Sequence, residues 1–294
     1  MDVNFELYKV FYYVASTLSF SEAANNLFIS QSAVSQSIKN LEEKLNIQLF
    51  FRNTKQVRLT KDGEVLFQHI EQAYNLIKNA ERTIDEIHSL SKGEVRIGAS
   101  DTICKYYLLP FFKEFHKLYP GVKIHVTNGT SPKCVELLQQ GSVDFIISNI
   151  PNHYVDVSMI IKKVQPIQDV FIAGMQFNEL KNRQVSLKDL EKYPFLMLES
   201  KTTTREFFDD MIKEKNINII PEIELGSIDL LVEMSKIGLG LTFVWKNCIK
   251  EQLKSKEVFM VHVKEKIPVR YLGVITHKHI PLSIGAKKFI ELLY

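Results

Sequence analysis

The stretch from Phe28 to Leu45, FISQSAVSQSIKNLEEKL, constrains this chain more than any other. On a helix stepping about 100° per residue, Val34, Ile38, Leu41 and Leu45 fall in one narrow apolar stripe. Ser32, Gln36, Lys39 and Glu43 fall almost directly opposite. The stripe can bury against a small domain. The opposite face opens with hydroxyls, an amide and a lysine, side chains that reach base edges and phosphates in a major groove. An ordinary surface helix with a solvated polar face has the same pattern, so the flanking sequence has to decide.

Upstream, Phe5, Tyr8, Phe11, Tyr12 and Ala15 recur at helical spacing over Asn4 to Ser16. Ser19 and Glu22 then form an S-x-x-E capping box, with Leu18 and Ala23 placed for a hydrophobic staple, and open a short helix to Leu27. Phe28-Ile29-Ser30 is a three-residue turn into the polar-faced helix, which makes a helix-turn-helix. Downstream, the β-prone runs Leu49 to Asn53 and Val57 to Leu59 flank polar Thr54-Lys55-Gln56, the pattern of a wing with a basic tip. Between Phe28 and Lys61 the cations Lys39, Lys44, Arg52, Lys55, Arg58 and Lys61 face only Glu42 and Glu43. The next helix is rich in acids, so basic charge is confined to this region, although the chain as a whole carries only +3.

Five features follow one another in order: Ala23-Ala24 with Leu27; S-Q-S-A-V-S at Ser30 to Ser35; I-x-x-L-E at Ile38 to Glu42; L-F-x-R at Leu49 to Arg52; and L-T-x-x-G at Leu59 to Gly63. Together they resemble the N-terminal winged helix-turn-helix of LysR-type transcriptional regulators. One departure is Phe50-Phe51 with Asn53-Thr54, where that family often has a second Arg. The resemblance implies double-stranded DNA as a partner. It places Ser30, Gln31, Ser32, Ser35, Gln36 and Lys39 at the DNA, with Arg52 and Thr60 supporting from the wing; Arg58 joins Arg52 there by its charge. Gln36 suits an adenine edge, and Lys39 a guanine or a phosphate. The arginines supply salt-dependent backbone affinity. Two alternatives stand beside this: Ser30 as a plain helix cap, and Lys39 as a solvated lysine.

From Thr60 a long helix carries Leu66, Ile70, Ala73, Ile77, Ala80, Ile84 and Ile87 at alternating spacings of four and three. A period of about 3.5 predicts a left-handed coiled coil. The simplest partner for the seam is the same helix of a second copy; packing on the chain's own C-terminal part is the alternative. A two-fold dimer predicts a pseudo-palindromic site with half-sites about one DNA turn apart or a multiple of it. Tetramer formation and a contact with RNA polymerase are implied by the resemblance alone.

After Leu90 to Gly93, strands alternate with helices: VRIGAS, a helix to Leu118 interrupted near Pro110, Val122 to Asn128, Ser131 to Gln140, and Val143 to Ser148. A second set runs from Val170 to Val244, and Val269 to Ile275 with a final helix closes the chain. This predicts an α/β domain with a largely parallel sheet. VRIGAS, YLLPFF, LYPGVKI, GSVDFIIS and IGLGLTFV are similar to the effector domain of the same family, whose two lobes look like periplasmic binding proteins. The resemblance therefore covers the whole chain. The domains expected are a winged helix-turn-helix over 1–61, a linker and dimerisation helix over 62–92, and an effector domain over 93–294. Lobe I is 93–161 plus 268–294, and lobe II is 162–267.

Open α/β sheets bind ligands beyond the carboxyl ends of their strands. That singles out Ser100, Asp101 and Thr102, Thr130 and Ser131, Asn149, and Thr202, Thr203 and Thr204. Hydroxyls at helix N-termini suit a carboxylate or oxyanion; helix capping is the alternative for each. Arg205 either neutralises such an anion or lies on the surface. No cofactor and no metal site is expected: His277 and His279 lack further ligand spacing, and Cys104, Cys134 and Cys248 are odd in number with no CxxC. The N-terminus lacks a signal-peptide pattern and no apolar run approaches a membrane span, so a cytoplasmic protein is expected. A solute-binding protein of a transport system would explain only the last two hundred residues, and it lacks the signal peptide. An enzyme is not expected, since there is no G-x-S-x-G, H-E-x-x-H, P-loop or G-x-G-x-x-G. The reading that explains every segment is a ligand-responsive LysR-type transcriptional regulator.

Overall fold

The computed structural model describes residues 3–51, 56–88 and 93–294. Expectations that fall on Arg52, the wing tip, the 89–92 linker and the Ile87 side chain lie outside the described residues. The chain divides into two compact units, the first running through Ile84.

In the first unit, α1 (Phe5–Thr17), α2 (Phe20–Leu27) and α3 (Gln31–Leu45) precede a short antiparallel ribbon, β1 (Phe50–Phe51) with β2 (Arg58–Leu59). Caps set the helix starts: Asn4 accepts from the Glu6 N–H, Ser19 from that of Glu22, and Ser30 from that of Ala33. The predicted stripe is the buried face of α3, with Val34, Ile38 and Leu41 buried and Leu45 packed at its end. They meet Phe11 and Val14 of α1, and Ala23 and Ala24 of α2.

Two elements of the family pattern gain a physical reason here. The buried Glu42 carboxylate accepts the N–H groups of Leu49 (2.8 Å) and Phe50 (3.3 Å), which ties α3 to the wing. Gly63 stands where a Cβ would lie 2.2 Å from the Leu49 carbonyl oxygen, so only glycine lets the next helix pass the ribbon.

That helix, α4 (Lys61–His88), divides the predicted seam in two. Leu66 and Ile70 pack onto the winged-helix core, joined by Tyr74, whose ring stacks on Tyr12 at 4.2 Å and whose hydroxyl meets that of Tyr13 at 3.0 Å. Ala73, Ile77, Ala80 and Ile84 are exposed on the chain, Ile77 by 40% and Ile84 by 56%.

The second unit holds two sheets. Its elements in order are β3 (Gly93–Ala99), α5 (Asp101–Ile103), a π-helical turn over Cys104–Leu108, α6 (Leu109–Leu118), β4 (Val122–Asn128), α7 (Ser131–Gln139), β5 (Phe145–Ile150), β6 (Met159–Ile167) and β7 (Asp169–Gly174). There follow β8 (Gln184–Val185), β9 (Phe195–Leu198), α8 (Thr203–Lys213), β10 (Ile223–Leu225), α9 (Ile228–Lys236), β11 (Leu241–Trp245), α10 (Lys250–Lys254), β12 (Val258–Val263), β13 (Arg270–His277) and α11 (Ile284–Leu292). The break expected at Pro110 takes the form of the π-turn. Proline has no N–H for the Tyr106 carbonyl and its ring crowds that oxygen, so the helix widens before it.

The sheets are mixed, which corrects the largely parallel expectation. The first has the order β4-β3-β5-β13-β6, and the second β10-β9-β11-β7-β12-β8. In each, parallel strands carry the helices, and antiparallel partners are added by chain crossing between lobes: β13 beside β5, and β7 beside β11. The lobe boundary expected at 161/162 also moves. β6 stays paired with β13 as far as Ile167, and β7 begins the second sheet at Asp169. Lys162, Lys163 and Pro166 obscure this strand in the sequence, yet they suit it, because β6 is a sheet edge that needs no inward-facing run and tolerates proline.

Candidate functional site

On α3 the side chains expected to face DNA are exposed, and several are bonded to neighbours along the same face. Ser30 and Ser32 hydroxyls lie 2.9 Å apart. The Gln36 amide donates to Asn40 Oδ1 at 2.8 Å, and Lys39 Nζ lies 3.6 Å from Glu43. Gln31 and Ser35 are exposed beside them. Asn40, which composition alone did not single out, sets the Gln36 orientation. On the wing, Arg58 is exposed and donates to Gln56 at 3.2 Å.

Thr60 is bonded at the base of the wing. Its only hydroxyl hydrogen goes to the Gln48 carbonyl at 2.6 Å, and its oxygen accepts the Gly63 N–H. These two bonds tie the start of α4 to the strand before it.

In the second unit all of the predicted effector residues line one cavity of about 260 Å3: Ser100, Asp101, Thr102, Thr130, Ser131, Asn149, Thr202, Thr203 and Thr204. The fold brings them together because β3, β4, β5 and β9 each end there and hand over to a helix or turn. Trp245, Leu198 and Ile228 add apolar wall. The residues have different tasks. Ser100 caps α5, and Asp101 is held by the Asn128 amide. Thr202 caps α8, its hydrogen going to the Glu199 carbonyl.

Thr203 and Thr204 are the buried pair. The Asn149 amide donates to both hydroxyls, at 3.2 and 3.3 Å. Asn152 donates to Ser148, Ser148 to Ser131, and Ser131 meets Thr203 at 3.1 Å. Arg205 does not line the cavity: it is engaged by Asp209, Glu224 and the Leu198 carbonyl.

Arg270, and not Arg205, lines the cavity. It is 1% exposed, and its Nε and Nη2 grip Asp169 at 2.6 and 2.7 Å. Nη2 also donates to Thr204 at 3.3 Å, and the guanidinium lies over Phe207. Its signal was readable: Arg270 shares the inward register of Leu272 and Val274, an arginine on a core face.

The lobes also meet at the cavity rim. Lys105 and Tyr106, on the π-turn, bind Asp229 at 2.8 and 2.5 Å, and Tyr154 binds Glu206. Burial pushes the Asp229 carboxyl up, but the hydrogen bonds from Lys105 and Tyr106 together hold it below its ordinary value. A wider groove of about 870 Å3 lies against the crossover strands around Gln168 and Lys266, and it holds none of the predicted effector residues.

Burial, reinforced by the Asp101 charge at Cys104 and by Cys104 at Cys134, pushes both thiols up to about 11. At neutral pH they then carry roughly a hundredfold or more less thiolate than a free cysteine. Iodoacetamide labelling followed by mass spectrometry will show slow alkylation in the folded protein, accelerating as pH rises toward about 11. The linkage has a definite sign. Below about 8.5 neither folded nor unfolded thiols ionise, so stability is level. Above it the unfolded chain loses protons first, and stability falls until the folded thiols ionise too.

A family model described as the LysR substrate binding domain matches residues 88–294. One described as a bacterial regulatory helix-turn-helix protein, lysR family, matches residues 5–64. A probable RuBisCO transcriptional regulator of Thalassiosira pseudonana is 28% identical over 294 residues, covering 96% of this chain and 92% of the relative. The HTH-type transcriptional regulator CysL of Bacillus subtilis (strain 168) is 27% identical over 292 residues, covering 98% and 96%. Among solved structures, a full-length OxyR variant from Pseudomonas aeruginosa superposes with a TM-score of 0.74 at 17% identity, over 100% of this chain and 94% of that one. Full-length CbnR complexed with its target DNA gives 0.68 at 16%, over 99% of each.

Proposed function

From the premise that this chain belongs to the LysR family, and so is a DNA-binding transcriptional regulator with an effector-binding domain, we propose how its residues divide the work. A dimer, paired through Ala73, Ile77, Ala80 and Ile84 of α4, presents two α3 helices to a pseudo-palindromic promoter site in the cytoplasm. Gln36, with Asn40 behind it, reads a base edge. Ser30, Ser32, Ser35, Gln31 and Lys39 hold the surrounding edges and phosphates, and Arg58 adds backbone affinity. The CbnR complex with its target DNA supports DNA as the partner.

A small carboxylate or oxyanion enters the cavity between the lobes and changes their relative angle. The spacing of dimers, the DNA bend and the access of RNA polymerase change with it. Ligand can do this only by binding the two arrangements with different affinity. The observation carrying the effector reading is the convergence of hydroxyls from separate strand ends on one cavity. The family is one of regulators, and no catalytic step is assigned to this site.

Gln36→Ala is expected to lose about 1–3 kcal/mol of discrimination between operator and scrambled DNA, with non-specific affinity unchanged. Competition binding at fixed salt measures this. Undiminished selectivity would remove Gln36 from the reading face.

A further inference from the structure

We propose that Arg270 is the charged anchor for a singly charged, acceptor-rich ligand in the cavity between the lobes. The proposal rests on the effector reading above and adds the chemistry of the recognised group.

The deep wall of the cavity has more hydrogens than it can use. Arg270 carries five N–H donors; Nε and Nη2 serve Asp169 and Thr204, while Nη1 is buried with no partner among the described residues. An orphaned guanidinium nitrogen at 1% exposure is costly unless something arrives to accept from it. The hydroxyls beside it point the same way. Thr204 Oγ1 accepts from both Arg270 and Asn149, which leaves its own hydrogen to donate. Ser148 donates to Ser131, and Ser131 and Thr203 then share one hydrogen bond. Whichever of the two donates, one hydroxyl hydrogen of the pair is left over. The N-termini of α7 and α8 open at the same wall and add the positive ends of two helices. Unused donors converging around a guanidinium select an anion's oxygens.

Asp169 limits the charge. It already neutralises Arg270 inside the protein, both side chains being at most 1% exposed. An incoming anion shares the guanidinium with Asp169, so each negative charge it brings is an excess in a poorly solvated site. One charge is opposed by the helix ends and hydroxyls; a second has nothing left to meet it. The site therefore favours a monoanion over a dianion of the same shape.

The test is the thermal transition of the full-length protein at constant ionic strength with four probes. Acetate is compared with acetamide, its neutral counterpart, and methanesulfonate with sulfate, which has a similar tetrahedral head and a second charge. Acetate or methanesulfonate should raise the effector-domain transition by about 3–6 °C when well above its Kd, with acetamide and sulfate doing markedly less. Arg270→Ala alone would leave Asp169 unpaired, so the informative variant is the neutral pair Asp169→Asn with Arg270→Gln, which should fold and lose the rise. Thr204→Val should reduce it. If acetamide acts as strongly as acetate, and the rise survives the neutral pair but is lost in Thr203→Val, the cavity is an effector site and the anion anchor is wrong. If no probe moves the transition, both the anchor and the effector reading of this cavity fall.

Discussion

An Ile77→Glu variant sediments as a monomer and binds a fragment with two half-sites roughly a hundredfold or more less tightly than the wild type, while a single half-site is bound equally by both. The size of the effect comes from bivalence. Two linked reading heads gain a factor of about 10²–10⁴ over one, without any new contact. The choice of Ile77 comes from the division of α4. Leu66 and Ile70 are already covered by the chain's own winged-helix core, so they cannot report on a partner. Ile77, Ala80 and Ile84 are exposed on the chain, in a row that water does not favour. A glutamate in the middle would face its symmetry mate, and two like charges would have to be desolvated together. Sedimentation velocity, paired with titration of one-site and two-site DNA, reads both halves of the expectation. An unchanged sedimentation coefficient would move the dimer contact off this seam.

Arg270→Ala lowers the stability of the effector domain by about 3–5 kcal/mol, because it strands the Asp169 carboxylate in the interior. The transition should drop by roughly 10 °C for a domain of this size, with the first unit's unfolding little changed. Asp169 opens β7 in one sheet and Arg270 opens β13 in the other, so the pair binds the two lobes where the chain crosses between them. Replacing both by Asn and Gln should recover most of the loss, since no uncompensated charge then remains. Scanning calorimetry of the three proteins separates the cases. A single variant as stable as the wild type would mean that the pair contributes nothing to holding the lobes.

Much of the architecture was legible because it depends on local chemistry. The caps at Ser19 and Ser30 are written in residues three apart, and the α3 stripe in a period that holds over four turns. The strand ends that meet at the cavity follow from alternation of strand and helix, with hydroxyls at each junction. The edge strand β6 was hidden by Lys162, Lys163 and Pro166, since an edge needs no continuous apolar run. The strand β12, VFMVHV, is β-prone in composition but carries no turn signal that sets it apart from the helix before it.

The roles of individual polar residues were not legible. Thr60 and Thr202 read like contacts for an anion, yet each uses its only hydrogen on a carbonyl nearby. Capping and ligand binding call on the same residue types, so the sequence names both uses at once, and only a hydrogen-bond partner tells them apart. Arg270, which lines the cavity, stands out in the sequence only as a charge on a core-facing register. The sequence by itself determined the helix-turn-helix, the polar exposed face of α3 and the set of hydroxyls at the strand ends, all properties of residues a few positions apart. The tertiary structure decided which half of the α4 seam is covered and which of the cavity's threonines are buried. It also paired an arginine with a carboxylate 101 residues away, because burial and charge pairing depend on neighbours in space that the chain order does not specify.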